Sequence, residues 1–600
     1  MAPAGHRDTK PTSTIFSVRT DGSTEPIALT DSERNNVSPR WSPDGQTLAF
    51  VSDRPNRGDG QLHLLSIEGG EARRITSLKG GVQTICWSMD GERIYLTAQR
   101  KALAGTQETD SEIKVASEQP RPRSIAVVSR AGGALRELGP PNGHVWTFAL
   151  SPDGERIAAM VSPTERLDDA ADNSWLIIFS VTSPRDVVPL QRFMGAAEHL
   201  AWSPDGTSVV LINSRRPDHL HSHVHIVNAR SGDIQTLPDL DMTPTWAGFV
   251  RDELFVLNTR NQRSHLSAID PDTGMRASDI SLQVDEKSHW ISPQMSATAD
   301  GALAFLGASS TRPADVFIRH PDGGCRKLSD LNSLLEEVAL AEMEEVIWES
   351  KDGLEIHGWL LEPPLTDGEG PFPLVVNVHG GPTMAWGDWF HGTWHDWAQV
   401  LAARGYAVFL PNPRGSTGKG QAFTGANRAD LGGNDYYDVI AGIDRLIDSG
   451  VADPERLGIG GWSYGGFLTA LSIVRSDRFK AAVAGAAVTN WTSKVGTTDI
   501  RPMNERNFPG PLHRSPDPYW IRSPVRYLRN AKTPTLIVHG EADERVPVSQ
   551  GLELYLGLKA MDVDTEFVTY PRQGHAFHER AFQLDLLNRI CDWYDRFLKA

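Results

Sequence analysis

The segment Gly461-Trp462-Ser463-Tyr464-Gly465 places one serine between two glycines. An apolar run, RLGIGG, precedes it, and a helical pattern follows it. A turn of this kind between a strand and a helix projects the serine hydroxyl above a sheet, and the helix N-terminus favours negative charge there. A short string of this type also arises by chance. The strand before it and the helix after it are therefore what make the motif specific. We predict that Ser463 is a nucleophile; the alternative is a glycine-rich turn with an incidental serine.

A serine hydroxyl becomes a good nucleophile only beside a base that is itself held in place. In a strand–turn–helix site the chain order is serine, acid, histidine. Downstream, TPTLIVHG leads into a loop with Glu541, Asp543 and Glu544, and DTEFVTYPRQGH ends at His575. Both loops follow the carboxyl ends of strands, where such sheets carry their sites. We predict Asp543 as the acid and His575 as the base; His578 is a rival that is less suitable because it enters a helix.

An acyl transfer also needs hydrogen-bond donors for the oxyanion that forms on the attacked carbonyl. The backbone N–H of Tyr464 is one candidate. The second is expected in the loop after an early strand, where the sequence reads His379-Gly380-Gly381-Pro382. Glycines let a backbone approach a substrate closely, so we predict an oxyanion hole of Tyr464, Gly380 and Gly381. A glycine pair that serves only a tight turn is the alternative.

The elements that position these residues begin at about Glu345. Two strands with a turn come first, and near-continuous apolar strands follow, including PFPLVVNVHGG, YAVFLPN, KAAVAGAAV and TPTLIVHG. Helical patterns separate them, around Asp435–Ser449, from Gly465, near Ser549–Lys559 and from about Phe577. Apolar strands that alternate with helices predict a parallel sheet covered on both faces. With the turn at Ser463, this pattern is typical of an α/β-hydrolase domain.

The front half of the chain contains a repeat. Trp41-Ser42-Pro43-Asp44-Gly45 lies between two apolar runs, and copies recur around the glycines at positions 91, 154, 206 and 301. Each copy reads as a hairpin, and a second class of turn alternates with it seven times. Such pairs of hairpins predict the four-stranded blades of a β-propeller, with seven blades favoured and six as the alternative; an unrelated all-β sandwich is the weaker reading. We expect the propeller over residues 1–340 and the catalytic domain over 341–600.

Composition narrows the possible partners. The 59 Lys and Arg against 76 Asp and Glu give a net charge of −17, which argues against nucleic acid as a partner. No stretch of eighteen apolar residues occurs, and the first residues lack the apolar run of a signal peptide, so we expect a cytoplasmic protein without membrane attachment. Cys86, Cys325 and Cys591 lie far apart, which argues against disulfides and cysteine metal sites. We expect no cofactor and no metal, and the sequence is compatible with a homo-oligomer.

Two features of the front half have more than one interpretation. His219, His221, His223 and His225 alternate, so on a strand they would share one face. A metal site is conceivable, but we favour a solvated strand face. The polar stretch Lys101–Arg123 reads most simply as a long loop inside the second blade.

Several of these segments together resemble one family. HGGP, NPRGSTGKG from Asn412, GGWSYGG, HGEADERVPVSQ from His539 and the QGH before Ala576, preceded by a propeller, are similar to the prolyl oligopeptidase family, and most similar to its acylaminoacyl-peptidase branch. The resemblance implies a serine peptidase acting on short peptides, with Ser463, Asp543 and His575 as its triad. It also implies that Arg545 holds a substrate carbonyl or carboxylate. The alternative for Arg545 is a surface salt bridge.

The tryptophans of the back half are candidates for the substrate pocket. Trp491 and Trp520 are plausible pocket walls. Trp386, Trp389, Trp394 and Trp397 are expected mainly in core or interface packing.

Three functions stay open from the sequence. The first is a peptidase that releases an N-terminal acyl-amino acid or a small peptide through an acyl-enzyme. The second is an esterase or amidase on small acyl substrates, because a fold does not determine its substrate. The third is a propeller scaffold that binds a protein partner and carries a vestigial hydrolase.

Overall fold

Residues 36–327 form six antiparallel sheets, each built from strands that are consecutive in the chain. The computed structural model of this protein describes residues 12–100, 122–195, 197, 199–215, 222–239, 241–282, 290–364 and 370–599. A two-stranded sheet, β1 (Phe16–Ser17) and β2 (Ile27–Ala28), comes first. The first three blades contain β3 (Asn36–Trp41), β4 (Thr47–Ser52), β5 (Gln61–Ser66) and β6 (Arg73–Arg74); β7 (Val82–Trp87), β8 (Arg93–Gln99), β9 (Arg123–Ser129) and β10 (Arg136–Gly139); and β11 (His144–Leu150), β12 (Arg156–Ser162), β13 (Ser174–Ser180) and β14 (Val188–Phe193).

The remaining three blades have the same arrangement. They contain β15 (Leu200–Trp202), β16 (Ser208–Asn213), β17 (His223–Asn228) and β18 (Ile234–Thr236); β19 (Thr243–Val250), β20 (Glu253–Arg260), β21 (Arg263–Ile269) and β22 (Arg276–Ile280); and β23 (Trp290–Ile291), β24 (Ser296–Ala297), β25 (Leu303–Ser309), β26 (Arg312–Arg319) and β27 (Cys325–Lys327). One short helix, α1 (Leu167–Asn173), joins β12 to β13.

The repeated Ser-Pro-Asp-Gly turn is closed by its own side chains. The Asp44 carboxylate accepts hydrogen bonds from the Ser42 hydroxyl and from a backbone N–H two residues on. Gly45 has a φ of +68°, a conformation that glycine adopts without steric cost. The same serine–aspartate contact recurs in three later blades, at Ser88, Ser151 and Ser203. Each hairpin is therefore specified locally, which is why the repeat can be read from the sequence.

The seven turns of the second class belong to six complete blades and one smaller sheet. The first of these turns, at Asp21-Gly22, lies between β1 and β2, which form only a two-stranded sheet within the described residues. Ile15 beside it packs against Leu48 of the first blade, and Val18 packs against Leu328 beyond the last. The propeller therefore has six complete blades, and the preferred count of seven is not confirmed. The turn signature is the same whether or not an inner hairpin accompanies it, which explains the difference.

The histidine repeat is only partly described. His223 and His225 lie on β17 with ring centroids 6.4 Å apart, while His219 and His221 fall outside the described residues. His225 is buried and contacts Thr236 Oγ1 and the Asn213 carbonyl. The expected solvated face is therefore wrong for His225, because its ring packs inside the blade. Of the stretch Lys101–Arg123, residues 101–121 also lie outside the described part.

The back half of the chain forms one eight-stranded sheet. Its strands are β28 (Met343–Glu349), β29 (Glu355–Leu361), β30 (Phe372–Val378), β31 (Ala407–Asn412), β32 (Ala452–Trp462), β33 (Phe479–Gly485), β34 (Thr535–Gly540) and β35 (Thr565–Tyr570). The spatial order is β28-β29-β31-β30-β32-β33-β34-β35. β28, β29 and β31 pair antiparallel, and the strands from β31 to β35 in this order pair parallel. This is the α/β-hydrolase sheet that the sequence predicts.

Helices cover both faces of this sheet. They are α2 (Ala398–Ala402), α3 (Gly420–Thr424), α4 (Asn434–Asp448), α5 (Tyr464–Arg475), α6 (Trp491–Thr497), α7 (Arg501–Glu505), α8 (Asp517–Ile521), α9 (Ser549–Ala560) and α10 (Arg580–Leu598), with 3₁₀ turns at Ser333–Glu337 and Pro524–Asn530. Helices α4, α5 and α9 share one hydrophobic core, and α2 and α10 share the other. In the described ranges, no helix is long and apolar enough to span a membrane.

The propeller touches the sheet domain through loops at one end of its blades. The Gly418 N–H donates to Thr243 Oγ1 at 2.8 Å, and the Asn261 N–H donates to the Gly418 carbonyl at 3.0 Å. Gln262 Nε2 donates to the Thr417 carbonyl at 2.5 Å. These contacts hold the loop at residues 412–420, which follows β31, against the fifth blade.

The same loop is anchored to the sheet domain by a buried arginine. The Arg414 guanidinium donates to both carboxylate oxygens of Asp438 at 2.8 Å and to both oxygens of Asp352 at 2.7 and 2.8 Å. Arg414 is 5 % exposed and Asp438 is fully buried. Two anions around one guanidinium compensate the burial of its charge and raise its pKa above the usual value.

We expect Arg414→Met to destabilise the catalytic domain by about 3–5 kcal/mol, because it leaves the Asp438 charge buried without a cation. The control is Arg404→Met, which breaks a 2.7 Å pair between half-exposed Arg404 and Asp595 and should cost about 0–1 kcal/mol. Urea unfolding followed by tryptophan fluorescence measures both variants. Equal losses would contradict the anchoring role of Arg414.

Candidate active site

Ser463 occupies a strained turn between β32 and α5. Its φ of +61° and ψ of −113° lie outside the conformations that an L-residue prefers. A Cβ on Gly461 would lie 2.3 Å from the Val378 carbonyl oxygen, and one on Gly465 only 2.0 Å from it. Both glycines are thus required for the close approach of β30, and the turn holds the Ser463 hydroxyl at the sheet's carboxyl edge.

An acid–base pair lies at the same edge. His575 Nδ1 is 2.8 Å from Asp543 Oδ2, and Asp543 is buried. The other carboxylate oxygen accepts the backbone N–H groups of Arg545 and Val546, both at 2.9 Å. Because both oxygens have partners, the carboxylate is held in one orientation and fixes the imidazole, which leaves Nε2 for a reacting group.

The loop that carries His575 rests on the residue before Ser463. Trp462 Nε1 donates to the His575 carbonyl at 2.9 Å. The Trp462 ring packs edge-on against Phe577, at 5.3 Å between centroids, and against Trp394 at 5.0 Å. The loop of His575, and with it the pair of His575 and Asp543, is therefore held against the turn that carries Ser463.

The rival residues have other partners. Glu541 accepts a hydrogen bond from Thr569 Oγ1 at 2.9 Å, and Glu544 is exposed. The backbone N–H of His578 donates to Gln573 Oε1 at 2.8 Å, where α10 is about to begin. The geometry thus favours Asp543 as the acid and His575 as the base.

The glycine loop after β30 lies beside the nucleophile. A Cβ on Gly380 would be 3.4 Å from Ser463 Cβ, and Gly381 has a φ of +119°. His379 is buried, with Nε2 2.8 Å from Ser416 Oγ and Nδ1 2.6 Å from the Gly380 carbonyl. Burial lowers the pKa of His379 to about 4, so this ring is neutral and holds the loop by hydrogen bonds. The backbone of this loop therefore lies directly beside Ser463.

Comparison with known proteins identifies the family. A model described as the prolyl oligopeptidase family matches residues 394–600. An uncharacterized peptidase of Bacillus subtilis, YuxL, is 32 % identical over 97 % of this chain and 93 % of its own length. This chain belongs to the prolyl oligopeptidase family. It is therefore a serine peptidase.

Two further similarities agree with this family. The mouse acylamino-acid-releasing enzyme is 34 % identical over 40 % of this chain and 33 % of its own length. The structure of an acylaminoacyl peptidase from Pyrococcus horikoshii superposes with a TM-score of 0.80 at 22 % identity, covering 98 % of this chain and 92 % of that one. The second similarity establishes the fold of the peptidase, propeller and hydrolase together.

The three substrate-binding candidates of this peptidase lie at different distances from Ser463. Arg545 Nε lies 2.7 Å from Asp499 Oδ1, and each side chain is about a third exposed. Trp491 is buried and packs edge-on against Phe467, which contacts Tyr464. Trp520 is 42 % exposed on α8. Arg545 and Trp491 therefore lie close to the site, whereas Trp520 occupies the surface.

The tryptophans after the glycine loop have packing roles. Trp386 and Trp397 are buried, and Trp389 lies 5.7 Å from Trp290 of the propeller, between ring centroids. Core and interface packing is thus confirmed for these three. Trp394 packs on Trp462 and also touches the loop of His575 through Phe577.

Sequence reasoning missed a buried lysine near the acid. Lys494 Nζ donates to Asn504 Oδ1 at 2.7 Å, and the side chain is 2 % exposed. Burial, with a smaller contribution from the Arg545 charge, lowers the pKa of Lys494 to about 7; Asp499 and Asp543 act in the opposite direction. A lysine in a short helix carries no signal of burial, because its environment comes from distant segments.

The buried amine of Lys494 makes the stability of this peptidase depend on pH. Because its pKa is lower in the folded than in the unfolded chain, the unfolded chain binds more protons between about pH 7 and 10.5, and this residue destabilises the fold less as pH rises. Lys494→Met should therefore raise the melting temperature by a few degrees at pH 6.5 and by clearly less at pH 9. The control Lys480→Met removes a half-exposed lysine and should show no such difference. A gain for Lys494→Met that is equal at both pH values would show that the amine stays charged in the folded chain over this range, so that burial does not lower its pKa.

Proposed function

We propose that this serine peptidase hydrolyses short peptides and releases an N-terminal acyl-amino acid or small peptide through an acyl-enzyme on Ser463. The contact that carries the proposal is the 2.8 Å pair of His575 and Asp543, held against the strained turn of Ser463 by Trp462. The names of the mouse and Pyrococcus relatives support the acyl-amino-acid substrate class.

The proposed reaction follows from these positions. His575 Nε2 takes the Ser463 Oγ proton as the oxygen attacks the scissile carbonyl, and Asp543 stabilises the imidazolium that forms. The oxyanion is held by the N–H groups of Tyr464 and of the loop at Gly380 and Gly381. His575 then gives its proton to the leaving amine. A water molecule, deprotonated by the same ring, hydrolyses the acyl-enzyme and restores Ser463.

We also propose a division of the chain into a propeller at 1–340 and a catalytic domain at 341–600. Residue Ala341 is paired with the catalytic side, since its N–H donates to Gln399 Oε1 at 3.0 Å and its carbonyl accepts from Gln399 Nε2 at 2.8 Å. The same Nε2 donates to the Ser310 carbonyl of the propeller at 2.9 Å. These contacts support a boundary directly before Ala341.

The restriction to short peptides rests on where the propeller lies. Loops after β31 and β33, at the carboxyl edge that carries Ser463, contact the blades. Arg506 donates to the Ala171 carbonyl at 2.7 Å and pairs with Asp172, and both of these residues lie in α1. A site covered in this way admits a short chain and excludes a folded protein.

The cysteines and the net charge bear on the cellular location and the partners of this peptidase. We propose a cytoplasmic peptidase without nucleic-acid or membrane partners. The three cysteines are unpaired, which supports a reducing compartment, and the net charge of −17 disfavours nucleic acid. The proposal also allows a homo-oligomer of this chain.

A substrate panel tests the proposed specificity. It contains acyl-amino-acid anilides, free-amino dipeptide anilides, simple esters, a short acylated peptide and denatured casein. We expect the acylated anilide and peptide to be cleaved with the highest kcat/KM and casein to stay intact. Preference for the free-amino anilides would replace the acyl-amino-acid specificity, and turnover of esters alone would indicate an esterase.

We expect Ser463 to be the only serine labelled by a fluorophosphonate. Ser463→Ala should lower kcat by several orders of magnitude and keep the fold, since the members of a triad act as a unit. Mass spectrometry of the labelled peptide and circular dichroism of the variant measure the two effects. Labelling of a different serine, or turnover retained by the alanine variant, would refute the assignment and leave the scaffold hypothesis.

Arg545→Ala should lower kcat/KM for an acylated peptide about ten- to a hundredfold, the worth of one hydrogen bond to a charged group. Hydrolysis of p-nitrophenyl acetate should change little, because this ester lacks the group that the guanidinium would hold. The control is Arg478→Ala, which breaks a 2.7 Å pair with Asp444. Arg478 precedes the amino end of β33, whereas the site lies at the carboxyl ends of the strands. Equal losses on both substrates would assign Arg545 a structural role through Asp499.

A further inference from the structure

The residue after the nucleophile is tied to a buried carboxylate. The Tyr464 hydroxyl donates a hydrogen bond to Asp435 Oδ2. Tyr464 is 3 % exposed and Asp435 is fully buried. Tyr464 opens α5, whereas Asp435 lies in the first turn of α4, so the bond connects two helices on the same face of the sheet.

Asp435 is surrounded by donors from several segments. Its Oδ1 accepts the Tyr436 N–H at 2.8 Å, the Gly432 N–H also hydrogen-bonds to the carboxyl group, and Asn427 Nδ2 lies 3.5 Å from Oδ2. Burial raises the pKa of Asp435 to about 6, and the bonds from Tyr464 and Gly432 oppose that rise. At neutral pH the group is therefore a carboxylate, and it accepts a hydrogen bond from the phenol hydroxyl.

The phenol keeps its proton. Burial and the Asp435 charge hold the pKa of Tyr464 well above its usual value. A hydroxyl donating to a buried carboxylate is a charge-assisted bond, stronger than one between neutral groups. The far end of the Tyr464 side chain is therefore fixed.

What this bond fixes is the strained turn. A backbone in an unfavourable conformation persists only where its surroundings hold it from several sides. On one side the Ser463 N–H donates to the Gly485 carbonyl at 2.9 Å, and the Phe467 N–H donates to the Ser463 carbonyl at 2.9 Å. On the other side the Tyr464 phenol is attached to Asp435. The α-carbon of Tyr464 joins that phenol to the N–H that faces the oxyanion.

On the basis of the proposed roles of Ser463 and of the Tyr464 N–H, we propose that Asp435 is a positioning residue: through the Tyr464 phenol it keeps that N–H aimed at the oxyanion. The carboxylate touches no substrate atom in this arrangement. Its effect is confined to the tetrahedral intermediate and the transition states that lead to and from it, because the oxyanion exists only there.

The test uses Asp435→Asn, Tyr464→Phe and the double variant in the full chain. With an acylated anilide, for which acylation limits the rate, we expect kcat to fall about 10- to 100-fold with KM nearly unchanged. This loss is smaller than the about 10²–10³-fold cost of deleting an oxyanion donor, because the N–H is displaced and not removed. The Ki of a peptidyl boronic acid, whose adduct with the serine places an oxygen in the oxyanion hole, should rise by the same factor as kcat falls.

The double variant keeps the test decisive if Tyr464→Phe alone folds poorly. That single change leaves the Asp435 charge without its phenol, whereas the double variant has no buried charge to compensate. Its kcat should be no lower than that of the less active single variant, because both changes act on the same bond: Asp435→Asn removes the charge of its acceptor, and Tyr464→Phe removes its donor. A fully additive loss would overturn the proposal.

A matched control lies in the same domain. Tyr406 OH donates to Asp595 Oδ1 at 2.7 Å, away from the turn of Ser463. Tyr406→Phe should lower the melting temperature and leave kcat and the boronic acid Ki unchanged.

Two outcomes refute the positioning role while fluorophosphonate labelling of Ser463 stays intact, so they leave the proposed function standing. One is an unchanged kcat in folded Asp435 and Tyr464 variants. The other is a rise in KM alone, which would mean that the pair shapes substrate binding.

Discussion

The carbonyl oxygen of Val378 occupies the space where a side chain on Gly461 or Gly465 would begin. This contact presses the end of β30 against the turn between β32 and α5, and only glycine permits it. It has two consequences at once, since the residues that follow Val378 are the glycine loop itself. Ser463 is raised above the sheet, and the loop at Gly380 is brought beside it. Nearly every other contact at the site holds these two segments in place.

Helix α4 supports both segments from one turn. Asp435 and Asp438 lie three residues apart, so they face the same side of the helix near its N-terminus, where negative charge is favoured. Asp435 accepts the Tyr464 phenol, and Asp438 holds Arg414 in the loop at 412–420. That loop in turn contacts His379 through Ser416. One buried carboxylate of α4 therefore supports the turn at Ser463, and the other supports the loop at 412–420 that holds the glycine loop.

Much of this could be predicted from the sequence, because the decisive features are local. The turn of Ser463, the Asp543 and His575 loops and the Ser-Pro-Asp-Gly hairpins each depend on residues a few positions apart. The preferred count of seven blades is not confirmed, because the turn between β1 and β2 has the same local signature as a blade turn. Asp435, Lys494 and the Asp499 partner of Arg545 could not be foreseen. Their neighbours come from distant segments, and nothing in a single run of sequence distinguishes a buried carboxylate from a solvated one.

The loop at 412–420 has partners on both sides of the domain boundary. Its Gly418 is bonded to Thr243 and Asn261, and its Ser416 is bonded to His379. A catalytic domain cut free of the propeller would leave three backbone groups of this loop, at Thr417 and Gly418, without their partners. These groups lie one and two residues from Ser416, whose hydroxyl holds the glycine loop through His379. Truncation would then disturb the position of the glycine loop at Gly380 and Gly381, and it would also expose this edge of the sheet to solvent. The propeller therefore supports the loop that holds His379, in addition to covering this edge of the sheet.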